Sequence, residues 1–209
     1  MPSRALNGRD PQKGKIGFSA ARGFTFIEMM VVIAVIAIIT SLALPSYRTI
    51  IEKRQVTSGA EQLGAFLSAV QMEAVKRSEN IAVDYTRTDA ENWCVGITIG
   101  LTACDCTETD TTQTDYCQID GQARIFNETN LNYPGVMNAM NGDGEFVFDP
   151  ARGLVYNDSG LAAYDSAEME LLSEDGTYAL NVQISATGRV KYCSDSADKQ
   201  VPGYDVCAN

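Results

Sequence analysis

Six cysteines and no histidine bound the chemistry open to this 209-residue chain. Without histidine, the usual Ser-His and Cys-His nucleophile pairs are absent. There is no Gly-Lys-Ser/Thr phosphate loop and no dinucleotide fingerprint. A zinc site prefers ligand pairs with a two-residue spacer, and Cys104-x-Cys106 has one residue between its sulfurs. Carboxylates are so numerous that close acidic pairs follow from composition alone. The stretch "NGDGEFVFD" (141–149) hints at a calcium loop, but the twelfth position, Arg152, is no glutamate. It reads as a turn. Asn127-Glu-Thr129 and Asn157-Asp-Ser159 fit the glycosylation triplet, a pattern that chance supplies often. What remains for the cysteines (Cys94, Cys104, Cys106, Cys117, Cys193 and Cys207) is oxidation. Their number is even and all lie beyond an apolar segment, so disulfides formed in an oxidising compartment are expected. The chain reads as no enzyme, with no cofactor and no metal.

The other residue that demands a reason is Glu28. It is the one charge between Phe24 and Leu44, a run of 21 residues. As a helix that run is about 31 Å long, the thickness of a bilayer core. A carboxylate in hydrocarbon costs about 2.5 kcal/mol or more. Arg4, Arg9, Lys13, Lys15 and Arg22 precede the run against Asp10 alone, while the rest of the chain is strongly acidic and the whole carries a formal charge of −11. The positive-inside rule therefore puts the N-terminus in the cytoplasm and the body outside. An acidic body also disfavours broad binding to phosphate-rich surfaces. Three readings of the segment compete: a secretory signal cut after Ala43, a plain anchor, or a helix retained after a cut at Gly23. The first two leave Glu28 without a purpose.

Past the apolar run, Pro45 removes a helical hydrogen bond and should kink or locally melt the segment around Ala43–Leu44. Helical periodicity then resumes. Val56, Ala60, Leu63, Leu67, Val70 and Ala74 form one apolar stripe, expected to pack on a sheet of the same domain. Gly59 and Gly64 lower helix propensity and leave room for close backbone approach. The helix should end near Ser78–Asn80. Alternating stretches follow at 81–86, 93–99, 123–127, 145–149, 153–157, 177–185 and 188–193, separated by Gly, Asp, Asn and Thr, and "SATGRV" reads as a tight turn. The fold class is α+β: a long N-terminal helix, half membrane-type and half amphipathic, packed on a mostly antiparallel β head. The segments expected are 1–23, 24–44, 45–80 and 81–209.

"GFTFIEMMVVIAVIAIITSLALPSY" resembles the N-terminus of the type IV pilin and pseudopilin family. The resemblance implies that 1–23 is a leader, that a prepilin peptidase cuts between Gly23 and Phe24, and that Phe24 is then N-methylated. It implies that Glu28 pairs with the terminal amine of a neighbouring subunit, an alignment device that offsets the burial cost only in register. Pro45 matches the family's helix-kinking proline. Three further stretches, "AEQLGAFLSAVQMEAVKRSENIAV", "FVFDPARGLV" and "ISATGRVKYC", resemble the GspH/FimT/FimU group, which implies two small antiparallel sheets. Resemblance to pilin C-terminal loops implies that Cys193 pairs with Cys207. Cys104 and Cys106 are too close in sequence to pair with each other, and the preferred pairing of the remaining four is Cys94–Cys104 with Cys106–Cys117.

The function implied is that of a minor pilin that assembles near the pilus tip and helps initiate the filament. Its partners would be other pilin subunits, through the N-terminal helix, and the bacterial inner membrane before assembly. An alternative is a minor pseudopilin of a type II secretion system. A second is a DNA-binding pilin of natural transformation, for which Arg189, Lys191 and Lys199, with Arg152, are the available cations.

Overall fold

The computed structural model describes residues 23–87, 92–131, 136–140, 144–157, 162–163 and 166–207, with backbone alone at 42–46, 136–140, 162–163 and 166. Contacts divide the chain into two units, Met1–Leu44 and Pro45–Asn209. Helix α1 spans Phe26–Arg77 and contributes to both. Its backbone remains helical at Pro45, so the local melting expected around Ala43–Leu44 does not occur. A proline withdraws a single N–H donor, and the other bonds of the ladder keep the turn.

In the second unit the stripe on α1 sets the core. Val56, Ala60, Leu63, Leu67, Val70 and Ala74 are all at most 2% exposed. They pack against the inner faces of two antiparallel sheets. The strands are β1 (Ile81–Arg87), β2 (Trp93–Ile99), β3 (Gln118–Ile119), β4 (Gln122–Ala123), β5 (Ile125–Asn127), β6 (Val136–Met140), β7 (Glu145–Phe148), β8 (Val155–Asn157), β9 (Ala162–Ala163), β10 (Ser166–Leu172), β11 (Ala179–Ser185) and β12 (Val190–Cys193). The larger sheet has the order β5-β2-β1-β7-β8-β9, and the smaller β12-β11-β10-β6, with β3-β4 a separate ribbon. Alternation decides which side chains point inward. Ile81 and Val83 of β1, Phe146 and Phe148 of β7, and Leu180, Val182 and Ile184 of β11 all join the helix stripe. The helix ends at Arg77, with Ser78 in the left-handed region at φ 58°.

All seven alternating stretches contain strands, although 123–127 is divided between β4 and β5. The strand β10 was not among them. Its "SAEMELL" is built of good helix formers, which obscures a period-two pattern in which Ala167, Met169 and Leu171 are fully buried. β6 and β9 were also not anticipated, nor was the β3-β4 ribbon.

One polar contact joins the helix to the turns of both sheets. Gln71 of α1 donates from Nε2 to the carbonyl of Gly153, 2.8 Å away, in the turn between β7 and β8. The turn between β11 and β12 closes over the same amide. A Cβ on Gly188 would lie 2.0 Å from Gln71 Nε2 and 2.4 Å from the Gly153 oxygen. Beside them Val155 N donates to Ala186 O at 2.9 Å, a direct bond between the sheets. Gly64 is another close approach, where the Tyr192 hydroxyl would be 2.2 Å from a Cβ.

Gly188 has φ +72°, as does Gly176, which has open space around it. Gly176→Ala should therefore cost about 1 kcal/mol of backbone strain. Gly188→Ala should cost about 3 kcal/mol or more, because it adds a collision with a carbonyl that cannot retreat. Denaturant melts of the two variants of the full chain in detergent check this, and equal losses would refute the wedge.

Candidate functional site

The first unit offers a single functional element, the N-terminal part of α1. Thr25 starts it: its carbonyl accepts from Met29 N at 3.2 Å and its hydroxyl from Glu28 N at 3.2 Å. Thr25-Phe-Ile-Glu28 has the spacing of a capping box, a Ser/Thr-x-x-Glu signal legible in the sequence. Glu28 thus also sits in the first turn, where a carboxylate suits the positive end of the helix. Gly23 has nothing within 4 Å of where a Cβ would stand. The apolar side chains are exposed on every side of the helix: Phe24 by 74%, Phe26 by 80%, Ile33 by 62% and Ile39 by 61%. The hydroxyls of Thr40 and Ser41 are satisfied within the helix, donating to carbonyls one turn back. No helix among the described residues is long and apolar enough to cross a membrane. The described apolar side chains stop at Ser41, and those of 42–46 lie outside the described residues. The leader, 1–22, lies outside them too.

The second unit carries the cystines. Cys193 bonds Cys207. The other four cysteines correct the preferred pairing: Cys94 bonds Cys106 and Cys104 bonds Cys117, so the two loops overlap. Asp84 of β1 gives the reason. Its partner across the sheet is Gly96 of β2, and its carboxylate accepts from the backbone N–H of Cys106 at 3.1 Å. That bond draws Cys106 over β2, where Cys94 stands two residues from Gly96. Gly96 leaves the room, since a Cβ would lie 2.2 Å from Cys117 Sγ and 2.7 Å from Cys106 Cβ. The loop beyond is exposed and threaded by local turns in which Asp105, Glu108 and Asp110 accept from Thr107, Thr109 and Thr112.

The C-terminal cystine loop is tied down at two points and braced within. Ala179 N donates to Lys199 O, the Tyr204 hydroxyl donates to Glu61 of α1 at 3.2 Å, and inside the loop Ser194 Oγ accepts from Val201 N at 2.9 Å. The cations considered for DNA are distributed over three segments of the head. Arg189 and Lys191 are exposed around edge strand β12, and Lys191 stands opposite Gln183. Lys199 is held against Ala179, four residues or about 13 Å along β11. Arg152 reaches back to Asp149 in its own turn. Asn127 is occupied as the cap of a 3-10 turn, accepting from Thr129. Residues 141–143 of the calcium-like stretch and 158–159 of the second triplet lie outside the described residues.

A helix headed by a methylation-type N-terminus, with an antiparallel head stapled by cystines, defines a type IV pilin-like subunit. Residues 18–44 match the prokaryotic N-terminal methylation motif. The chain belongs to the family of the type II transport protein GspH, whose model matches residues 59–188. It is similar to the type IV major alpha-pilin of Moraxella bovis, 37% identical over 85 residues, which are 41% of this chain and 50% of that one. It is also similar to fimbrial protein Q of Moraxella bovis, 46% identical over 52 residues, 25% of this chain and 33% of that one. The chain thus spans half or less of the length of these relatives. Among solved structures, the type IV minor pilin FimU of Pseudomonas aeruginosa aligns with a TM-score of 0.46 at 14% identity, covering 73% of this chain and 96% of that one.

Burial raises the Asp84 carboxyl to about 6 from an ordinary 3.8, and the nearby Glu145 and Asp105 add to the rise against the Cys106 N–H and the Thr86 hydroxyl. The folded chain therefore binds this proton more tightly than the unfolded one. Stability from this group is complete below about pH 4 and declines as pH rises to about 6, by about 3 kcal/mol in all. Asp84→Asn keeps an acceptor for Cys106 and removes the charge. The variant should melt several degrees higher than the parent at pH 7.5 and show a flatter rise of stability towards pH 4. A loss of the same size at both pH values would refute it.

Proposed function

We propose that this chain is a minor pilin that assembles near the tip of a type IV pilus and helps initiate it. One observation carries the reading: the apolar part of α1 is exposed around its whole circumference from Phe24 to Ile39. Such a surface needs lipid around it, and later other helices of the same kind. Residues 1–23 serve as leader, 24–44 as the segment that leaves the inner membrane for the filament core, 45–80 as the helix that the head rests on, and 81–209 as the head outside the cell. The leader is cut between Gly23 and Phe24, Phe24 is methylated, and Glu28 pairs with the amine of a neighbouring subunit. Pro45 is the family's helix-kinking position, where the chain gives up one helical N–H donor. The relatives include a major pilin matched over 41% of this chain, whereas residues 59–188 match the GspH model, a combination that suits a specialised subunit of a pilin-type filament.

The family description favours one second reading, a minor pseudopilin of a type II secretion filament. Both share every step up to assembly. They part in the filament that carries the chain: sheared pili for the first, the secretion apparatus for the second.

Intact mass and N-terminal sequencing of the protein from membranes test the common part. The expected chain begins at methylated Phe24 when a prepilin peptidase is present and at Met1 when it is absent. A chain beginning at Leu44 overturns the proposal. Glu28→Ala should leave cleavage and membrane level unchanged and lower incorporation into filaments by about tenfold or more, the effect of losing one buried charge pair.

A further inference from the structure

On the outer face of the smaller sheet, beside the C-terminal cystine, acidic and amide side chains share one surface. Glu168 and Glu170 lie two apart on β10 and so share a face, and the register sets Gln183 opposite the first and Asn181 opposite the second. Asn181 is 5% exposed and Glu170 is 9% exposed. The amide nitrogen of Asn181 donates to Glu168 Oε1 at 2.5 Å and lies 3.4 Å from Cys207 Sγ. Gln183 Nε2 donates to the same Glu168 oxygen at 3.2 Å. The carboxylate thereby fixes which way round the Asn181 amide sits, because a reversed amide would set oxygen against oxygen. The Asn181 oxygen is left buried with no hydrogen-bond partner. Attached to the same carbon as the nitrogen that Glu168 holds, it lies within this group.

We infer that Glu168, Glu170 and Asn181 form a divalent-cation site of calcium type. A buried acceptor among carboxylates is an environment that a cation satisfies. The sulfurs that also stand near Glu168, those of Cys193 and Cys207, are bonded to each other. Only oxygen donors remain, which selects a hard cation over zinc or copper. Three protein oxygens with water completing the shell suit the flexible coordination of calcium better than the strict octahedron of magnesium. An ion held here joins β10 and β11 beside the Cys207 end of the loop. Dissociation constants of about 0.1–1 mM are usual for extracellular modules of this kind.

The test uses the full chain in detergent with Tb³⁺ as a luminescent probe and Ca²⁺ as competitor. The expected results are saturable Tb³⁺ emission that Ca²⁺ displaces, and a melting midpoint about 5 °C or more higher at 100 times the dissociation constant. Glu168→Gln, on a partly exposed side chain, should weaken Ca²⁺ at least tenfold. Glu170→Gln should do the same, and where its melt shows that it does not fold, Glu168→Gln decides alone. Absence of saturable emission, or Ca²⁺ binding unchanged by Glu168→Gln as diffuse binding to an acidic surface would be, overturns the site.

Discussion

The head depends on one apolar stripe. The six inward residues of α1, from Val56 to Ala74, are the surface on which both sheets close, and each sheet alone would leave its inner face in water. At about 25 cal/mol per Å² of apolar surface removed from water, this packing is the main favourable term in the fold. The stripe is also continuous with the part of the helix that has no cover of its own. The residues of the helix are sorted accordingly: exposed apolar side chains from Phe24 to Ile39, and a narrow stripe with a polar back from Val56 to Ala74.

Around that stripe, polar groups act as local fasteners. Gln71 holds the Gly153 turn, Asp84 holds the cysteine-rich loop over β2, and Tyr204 holds the C-terminal loop to Glu61. Each is a single contact between elements distant in sequence, so each fixes geometry more than it adds stability. The closeness they require explains the glycines. Gly96 and Gly188 stand where a side chain would collide with a cystine or a carbonyl, and Gly64 stands where it would meet the Tyr192 hydroxyl.

The parts of this architecture legible in the sequence are those with a period. The helix stripe was complete, because six apolar residues at 4-3-4-3-4 spacing can face only one way. Seven strands were visible for the same reason. β10 was hidden because its residue types favour helix and only its neighbours β11 and β6 make it a strand. The crossed cystines were not legible at all. Their pairing depends on an N–H from Cys106 reaching a carboxylate 22 residues earlier, and no local pattern announces such a bond. The Thr25 cap, by contrast, was present as a plain Thr-x-x-Glu spacing.

The overlap of the two cystine loops decides what happens when the chain between them is cut. Every peptide bond between Cys94 and Cys117 is spanned by at least one cystine, because the loop from 94 to 106 and the loop from 104 to 117 share residues 104 to 106. Side-by-side loops would have left the links around Asp105 unguarded. A protease that reaches the exposed, threonine-rich segment can nick the chain there, but the two pieces remain one molecule until a reductant separates them.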